Sequence, residues 1–377
     1  MLVSDIANPE RANRFDQSVI KALLLFTTYI LLVYLISSAF PRFADTRRLI
    51  AIIVALGTFV AGCAVVESAT RYNVFDEWLR IGWLSEIPLA GTGDVGRGEA
   101  TRAVGSASHP IALGVVLTLL FPLAGYLAYH DRRWLLSVVL LPAGTFATVS
   151  RTALVMLVVI MIVLALLRPA ESVRLAGVVG VAAVALMIAS PSSLSAVAGS
   201  FFPKGGIVAE QSNTATHSIT SRGRLADLDP VFHDWVQQPI VGQGFGSRPV
   251  DSRENSLGDG RYAGVLDDQW LDLLLEVGAV GVAAWIALFF VLVKALLKRA
   301  RIHDDAGLLS VALVASIIAF VVAMLFIDAF GFPQLTFVAF LLIAIAANVV
   351  RQTSVVDERT VDPRVGSGSL LPALSRS

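Results

Sequence analysis

Residues 134–167 read WLLSVVLLPAGTFATVSRTALVMLVVIMIVLALL, two apolar runs that meet at Ser150-Arg151. Neither run alternates polar with apolar residues. Each approaches the roughly 20 residues that a helix needs to cross about 30 Å of hydrocarbon. The stretch therefore predicts a helical hairpin whose tip lies at one membrane face. Outward from it, comparable segments recur near 19–40, 49–66, 111–129, 173–190, 269–293, 307–326 and 334–350. With the hairpin arms at 134–149 and 152–167 the count is nine, and the fold class is an all-α polytopic membrane protein.

Composition agrees. Hydrophobic residues make up 56% and charged residues 15%, with a mean hydropathy of +0.74. A soluble domain runs nearer 45–50% apolar and about 25% charged. The length of 377 residues would otherwise suggest two or three soluble domains. The 29 basic and 29 acidic residues cancel, so no net field draws nucleic acid. The lone Cys63 excludes an intrachain disulfide framework and a cysteine-based zinc cluster. The first 18 residues are polar, and the apolar run that follows is too long for a cleavable signal.

Orientation follows from the short loops. Arg42, Arg47 and Arg48, then Arg132 and Arg133, then Arg168 and Arg174, then Lys294, Lys298, Arg299 and Arg301 share one side, which is expected to be cytoplasmic. The long loops 67–110 and 191–268 and the Arg151 tip then face outward. Nine crossings put the N-terminus outside despite Arg11, Arg14 and Lys21, which favours a further span upstream. Three regions result: a polar segment 1–18, a single transmembrane domain 19–350, and a tail 351–377 whose Ser, Pro, Gly and charge read as disordered. In the first outer loop, Phe75, Trp78, Leu79, Trp83 and Leu84 suit a short interfacial helix.

The second outer loop carries Ser221-Arg222-Gly223-Arg224, Asp229-Pro230, His233, Trp235, Pro239 and Gly242-Gln-Gly244-Phe-Gly246. Asp229-Pro230 predicts an N-cap with proline at the first helical position, and Pro239 a stop. Phe232, Trp235 and Val236 would share one face, with His233 opposite. The glycine run follows no strand and precedes no lysine, so it reads as a backbone turn rather than a phosphate loop.

Residues 267–278, Asp-Asp-Gln-Trp-Leu-Asp-Leu-Leu-Leu-Glu-Val-Gly, place Asp268, Gln269, Asp272 and Glu276 on one helix face. The same arc continues through Ala279, Ala283 and Ala287, which suit close helix packing. A charged side chain at the bilayer centre costs on the order of 3 kcal/mol, so Glu276 points to a polar cavity. A solvated helix end is the alternative for Asp267 and Asp268. Arg151 has two readings, a snorkelling interfacial arginine or a bidentate phosphate ligand. Arg222 and Arg224 reach the same face.

Taken together, these residues make the chain resemble the O-antigen ligase and O-antigen polymerase family of bacterial envelope glycan enzymes. Four pieces match in order over roughly 105–350: Ser150-Arg151-Thr-Ala, Arg224-Leu225, Pro239-Ile-Val-Gly242-Gln-Gly244-Phe-Gly246, and Asp267-Asp-Gln-Trp-Leu to Glu276-Val-Gly278-Ala-Val-Gly281. The resemblance implies an enzyme of the cytoplasmic (inner) membrane, acting at its outer face. It implies a polyprenyl-diphosphate-linked saccharide donor, a glycan or lipid acceptor, and no cofactor, nucleotide sugar or metal. Arg151 and Arg224 take the diphosphate-binding positions, with Arg222 beside them.

The catalytic candidates are Asp267, Asp268 and Glu276, with His233 as an alternative base in the loop. Ligases of the family carry a histidine where Asp267 stands, followed by Asn, Ser or Gln where Asp268 stands. The aspartate form is closer to the polymerases. That favours glycan polymerisation over transfer onto a lipid core. The competing reading is a transporter or flippase of lipid-linked oligosaccharides or small anions, with the carboxylates as coupling residues. No inverted repeat or paired broken helices speak for it.

Overall fold

The structure is a computed structural model that describes residues 1–75, 102–107, 109–190, 196–199, 201–202, 224–247 and 266–361. Its helices are α1 (Leu2–Ala7), α2 (Pro9–Arg14), α3 (Asp16–Ala39), α4 (Phe43–Thr70), α5 (Pro110–His130), α6 (Leu135–Ala147), α7 (Arg151–Leu167), α8 (Pro169–Ala189), α9 (Arg224–Trp235), α10 (Gln269–Ala300), α11 (Asp305–Ala323) and α12 (Pro333–Val361). Each expected span falls on a helix. Six of them (α3, α4, α5, α10, α11 and α12 as far as Gln352) are long and apolar enough to cross a membrane by themselves. The hairpin arms α6 and α7 are shorter. The molecule is an all-α polytopic membrane protein.

Helices α5 and α11 form the centre, and most of their residues are buried. Small and hydroxylated residues let the backbones approach, as packing in lipid requires. A Cβ on Gly144 would lie 2.9 Å from the Ala61 Cα, so α4 and α6 touch main chain to main chain. The Ser316 hydroxyl donates to the Leu119 carbonyl at 2.7 Å, and Thr118 and Thr145 meet at 3.2 Å. Helix α3 packs on α12, and α8 on α6 and α7.

Helix α10 departs from the straight rod that its sequence suggests. Gly278 has φ 65° and ψ −172°, a conformation that breaks the helix. The two arms fold back on each other. The rings of Trp270 and Phe289 lie 6.4 Å apart, whereas a straight helix would separate them by about 28 Å along its axis. Consequently the expected arc does not continue beyond Gly278, and Ala279, Ala283 and Ala287 are exposed instead of packed against a neighbour.

Two ends can be distinguished. At one, Arg47 and His130 meet Asp305 at 3.8 and 2.9 Å, and Arg168 donates to the Ala300 carbonyl at 3.1 Å. At the other stand the starts of α5, α7 and α12, the fold-back of α10, and the N-terminal helices α1 and α2. The polar segment at the start of the chain is therefore docked structure. Helix α12 continues to Val361, into the stretch read as a disordered tail, and 362–377 lie outside the described residues. So does most of the expected interfacial helix, including Trp78, Leu79, Trp83 and Leu84.

Candidate active site

The hairpin tip is a tight turn with a strained centre. Val149 is fully buried and has φ +48°, a left-handed conformation that is an outlier for a β-branched residue. The Ser150 hydroxyl then caps α7 by accepting the Ala153 amide at 3.3 Å. Arg151, half-buried, occupies the first helical position. Arg102 braces the turn from outside, its Nε donating to the Thr148 carbonyl at 3.1 Å. The Ala103 amide donates to the Ala147 carbonyl at the same distance, 3.1 Å.

The second element is the start of α10. Asp268 is its N-cap, with Oδ1 accepting the Trp270 and Leu271 amides at 2.9 and 3.1 Å. Gln269, buried, fastens this end to the α11–α12 turn. Its amide donates to the Met324 carbonyl at 2.8 Å, and its Oε1 accepts the Phe330 amide at 2.6 Å. Asp267 precedes the cap and is half-buried.

The glycine run is a turn with a specific client. Gly242, Gly244 and Gly246 have φ of +73°, +111° and +69°. The left-handed region costs glycine nothing. Those conformations aim successive backbone groups at the break in α10. The Gln243 and Gly244 amides donate to the Leu275 and Glu276 carbonyls at 2.8 and 3.0 Å, and the Pro239 and Ile240 carbonyls accept the Ala279 and Val280 amides at 2.9 and 3.2 Å. A broken helix at membrane depth persists only where such partners exist.

Glu276 belongs to the same arrangement. It is 8% exposed, and its Oε1 accepts the Gly246 amide at 3.1 Å. Helix α1 closes the far side. The Ser4 hydroxyl donates to the Glu276 carbonyl at 2.6 Å, and the Asn8 Nδ2 to the Gly242 carbonyl at 2.9 Å. Asp5 Oδ1 accepts the Phe245 amide at 2.6 Å, and burial pushes this carboxyl above the usual carboxylate range.

The loop helix corrects its expected start. Helix α9 begins at Arg224, and Pro230 lies inside it, so Asp229 is not the cap. Asp227, Val231 and Asp234 are buried, whereas Phe232, Val236 and His233 are exposed. The reason is the neighbour: Val231 packs with Leu266 and Leu275, and the Asp234 carbonyl accepts from Gln243 at 3.4 Å. Arg224 thus stands at a helix start, and Arg222 lies outside the described residues.

Two side chains that the sequence reading passed over join this end. His109 caps α5, its Nδ1 accepting the Ile111 amide at 3.2 Å, and its ring lies 5.5 Å from that of Phe332. Burial, with the positive charge of Arg102 adding to it, lowers its pKa to about 4. The only local signal was a polar residue before Pro110 and an apolar run. The starts of α5, α7, α10 and α12 thus bring the positive ends of helix dipoles to the same end of the bundle as Arg102 and Arg151. Such an end favours a bound anion.

The fold defines a polytopic membrane protein in which the starts of α5, α7, α10 and α12 stand at one end of the bundle with Arg102, Arg151, Asp267 and Asp268. The model of the O-antigen ligase family matches residues 136–286, so the chain carries a domain of that family. The match runs from α6 to the second arm of α10 and includes Ser150-Arg151, the glycine turn and Asp267–Gly278. Over this segment the chain is similar to the O-antigen ligases. No curated protein and no solved structure matches it.

Proposed function

We propose that the protein is a glycosyltransferase that polymerises glycans from a polyprenyl-diphosphate-linked saccharide donor at the outer face of the bacterial cytoplasmic membrane. The observation that carries the reading is the family match over the segment where Arg151 and Asp267 stand. Arg151, with Arg224 and Arg222 from the loop, holds the diphosphate. Asp267 takes the proton of the acceptor hydroxyl as that oxygen bonds to the anomeric carbon. The bond from this carbon to the diphosphate oxygen breaks, and its electron pair leaves with the diphosphate. Fixed guanidinium groups and helix starts stabilise that charge as it develops. Asp268 and Glu276 hold the base and the turn beneath it. Asp267 in place of the ligases' histidine supports polymerisation over transfer to a lipid core.

The broken α10 is the one feature that a transporter would share. A single experiment separates the readings. Purified protein in proteoliposomes is given a defined polyprenyl-diphosphate oligosaccharide. Elongated glycan is the expected product. Transfer restricted to a lipid acceptor would make it a ligase, and translocation without a new glycosidic bond would overturn the proposal. Orientation is tested separately with cysteines at Ser256 and Ala300 in a Cys63→Ser background. An impermeant thiol reagent on intact cells should label only position 256.

A further inference from the structure

We infer that His109 is a further catalytic residue, donating a hydrogen bond from Nε2 to the departing diphosphate; the inference rests on the donor reading above. Three observations carry it. First, the tautomer is set by the backbone. The Ile111 amide donates to Nδ1 at 3.2 Å, so a neutral ring carries its proton on Nε2 and is a donor there. Its reduced basicity keeps it neutral at pH 7.

Second, contacts link His109 to both halves of the site. On one side Arg102, close enough to lower the basicity of His109, bonds to Thr148, three residues before Arg151. On the other side the His109 ring packs against Phe332. Phe332 is two residues from Phe330, whose amide is held by Gln269 next to the Asp268 cap. The imidazole thus stands at the end of the bundle where the proposed diphosphate would bind, and a hydrogen bond to it is the step inferred.

Third, the site's position suits the task. The start of α5 is pressed onto the hairpin turn, since a Cβ on Gly114 would come 2.6 Å from the Thr148 Oγ1. His109 cannot drift from Arg151 without opening that contact. In the reaction the electron pair of the breaking anomeric bond moves onto a phosphate oxygen. The Nε2–H donates to that oxygen without giving up its proton, while the hydroxyl proton goes to Asp267.

The test uses the full chain in nanodiscs. His109→Asn keeps an N-cap oxygen but removes the ring's reach, and should lower kcat by about 10²-fold, the usual loss of one such donor. His109→Gln, whose amide nitrogen extends toward the position of Nε2, should recover part of it. Thermal melting of both variants is measured alongside. Binding of radiolabelled inorganic pyrophosphate should weaken in His109→Asn and be lost in Arg151→Ala. Full turnover and unchanged pyrophosphate binding in His109→Asn, with Arg151→Ala inactive, would overturn the role of His109 alone. Lower turnover matched by a lower melting temperature, with pyrophosphate binding intact, would also overturn it. Wild-type protein that neither elongates the donor nor binds pyrophosphate would overturn the donor reading itself.

Discussion

The Glu276 carboxylate accepts the Gly246 amide at 3.1 Å, across a glycine turn whose backbone also pairs with the carbonyl of Glu276 itself. One residue thus holds the turn through both its side chain and its main chain. Glu276→Gln keeps an acceptor of the same reach and should retain activity within a few-fold. Glu276→Ala removes the acceptor of a part-buried amide, at about 1 kcal/mol, and should lower the melting temperature and the turnover together. Equal loss in both variants would show that the charge itself is needed.

Gly278→Ala should be more damaging than an ordinary glycine replacement. Its φ of 65° with ψ of −172° is a conformation essentially reserved for glycine, and occupying it costs a side-chain residue about 1–3 kcal/mol. The added Cβ would also overlap the Ile240 carbonyl oxygen and, at 2.5 Å, the Gly242 amide nitrogen. Melting in detergent and an elongation assay should both fall, whereas Gly62→Ala, where nothing lies within 4 Å, should change neither.

The two aspartates should separate. Asp268 is a cap whose Oδ1 serves two amides, and Asn caps as well as Asp does. Asp268→Asn should remain active, and Asp268→Ala should cost about 1 kcal/mol of stability. Asp267→Asn should reduce turnover by about 10²-fold or more, the usual loss of a general base. His233→Ala should leave activity near normal, because that side chain is exposed. The reverse pattern, measured at equal protein level, would move the base into the loop.

Arg151→Ala should abolish product formation, and Arg151→Lys should restore only part of it, since the ammonium lacks the guanidinium's paired donors. Arg224→Ala should resemble Arg151→Ala, with Arg222→Ala milder. Radiolabelled donor turnover in membranes checks all four. Full activity in Arg151→Ala would return this residue to an interfacial anchor.

Acid should loosen the same end of the molecule. His109 has a folded pKa of about 4, below its ordinary 6.5. Between those values the unfolded chain binds a proton that the folded chain refuses, so stability is lost as pH falls through that window. Melting temperatures from pH 7 to pH 4 should fall more steeply for the wild type than for His109→Asn, which has no group to titrate there.

Much of this fold was legible because membrane spans are written in composition. Residues 111–129 or 307–326 announce a helix without any knowledge of their neighbours. The break in α10 was not legible, since Glu276-Val-Gly278-Ala-Val-Gly281 reads as continuous apolar helix and glycine is common in such helices. What breaks it is the Pro239–Gly246 turn, a partner far away in sequence. For the same reason Asp229-Pro230 misled: the pair is a proper start signal, but the residues before it were already helical. Ser150 and Asp268 stand out locally as polar residues beside apolar runs, and the structure makes each a helix cap. His109, Arg102, Ser4 and Asn8 acquire meaning only through distant contacts.

The bond between Ser4 and the Glu276 carbonyl spans 272 positions of the chain, and this has a consequence for biogenesis. During synthesis α1 leaves the ribosome long before its partner, because 272 positions separate the two. Until then α1 waits at the membrane surface, while the hairpin of α6 and α7 can already form from neighbouring residues. Assembly of the reactive end is thus a late, long-range closure onto α1. Ser4→Trp should therefore spare membrane insertion yet hinder that closure.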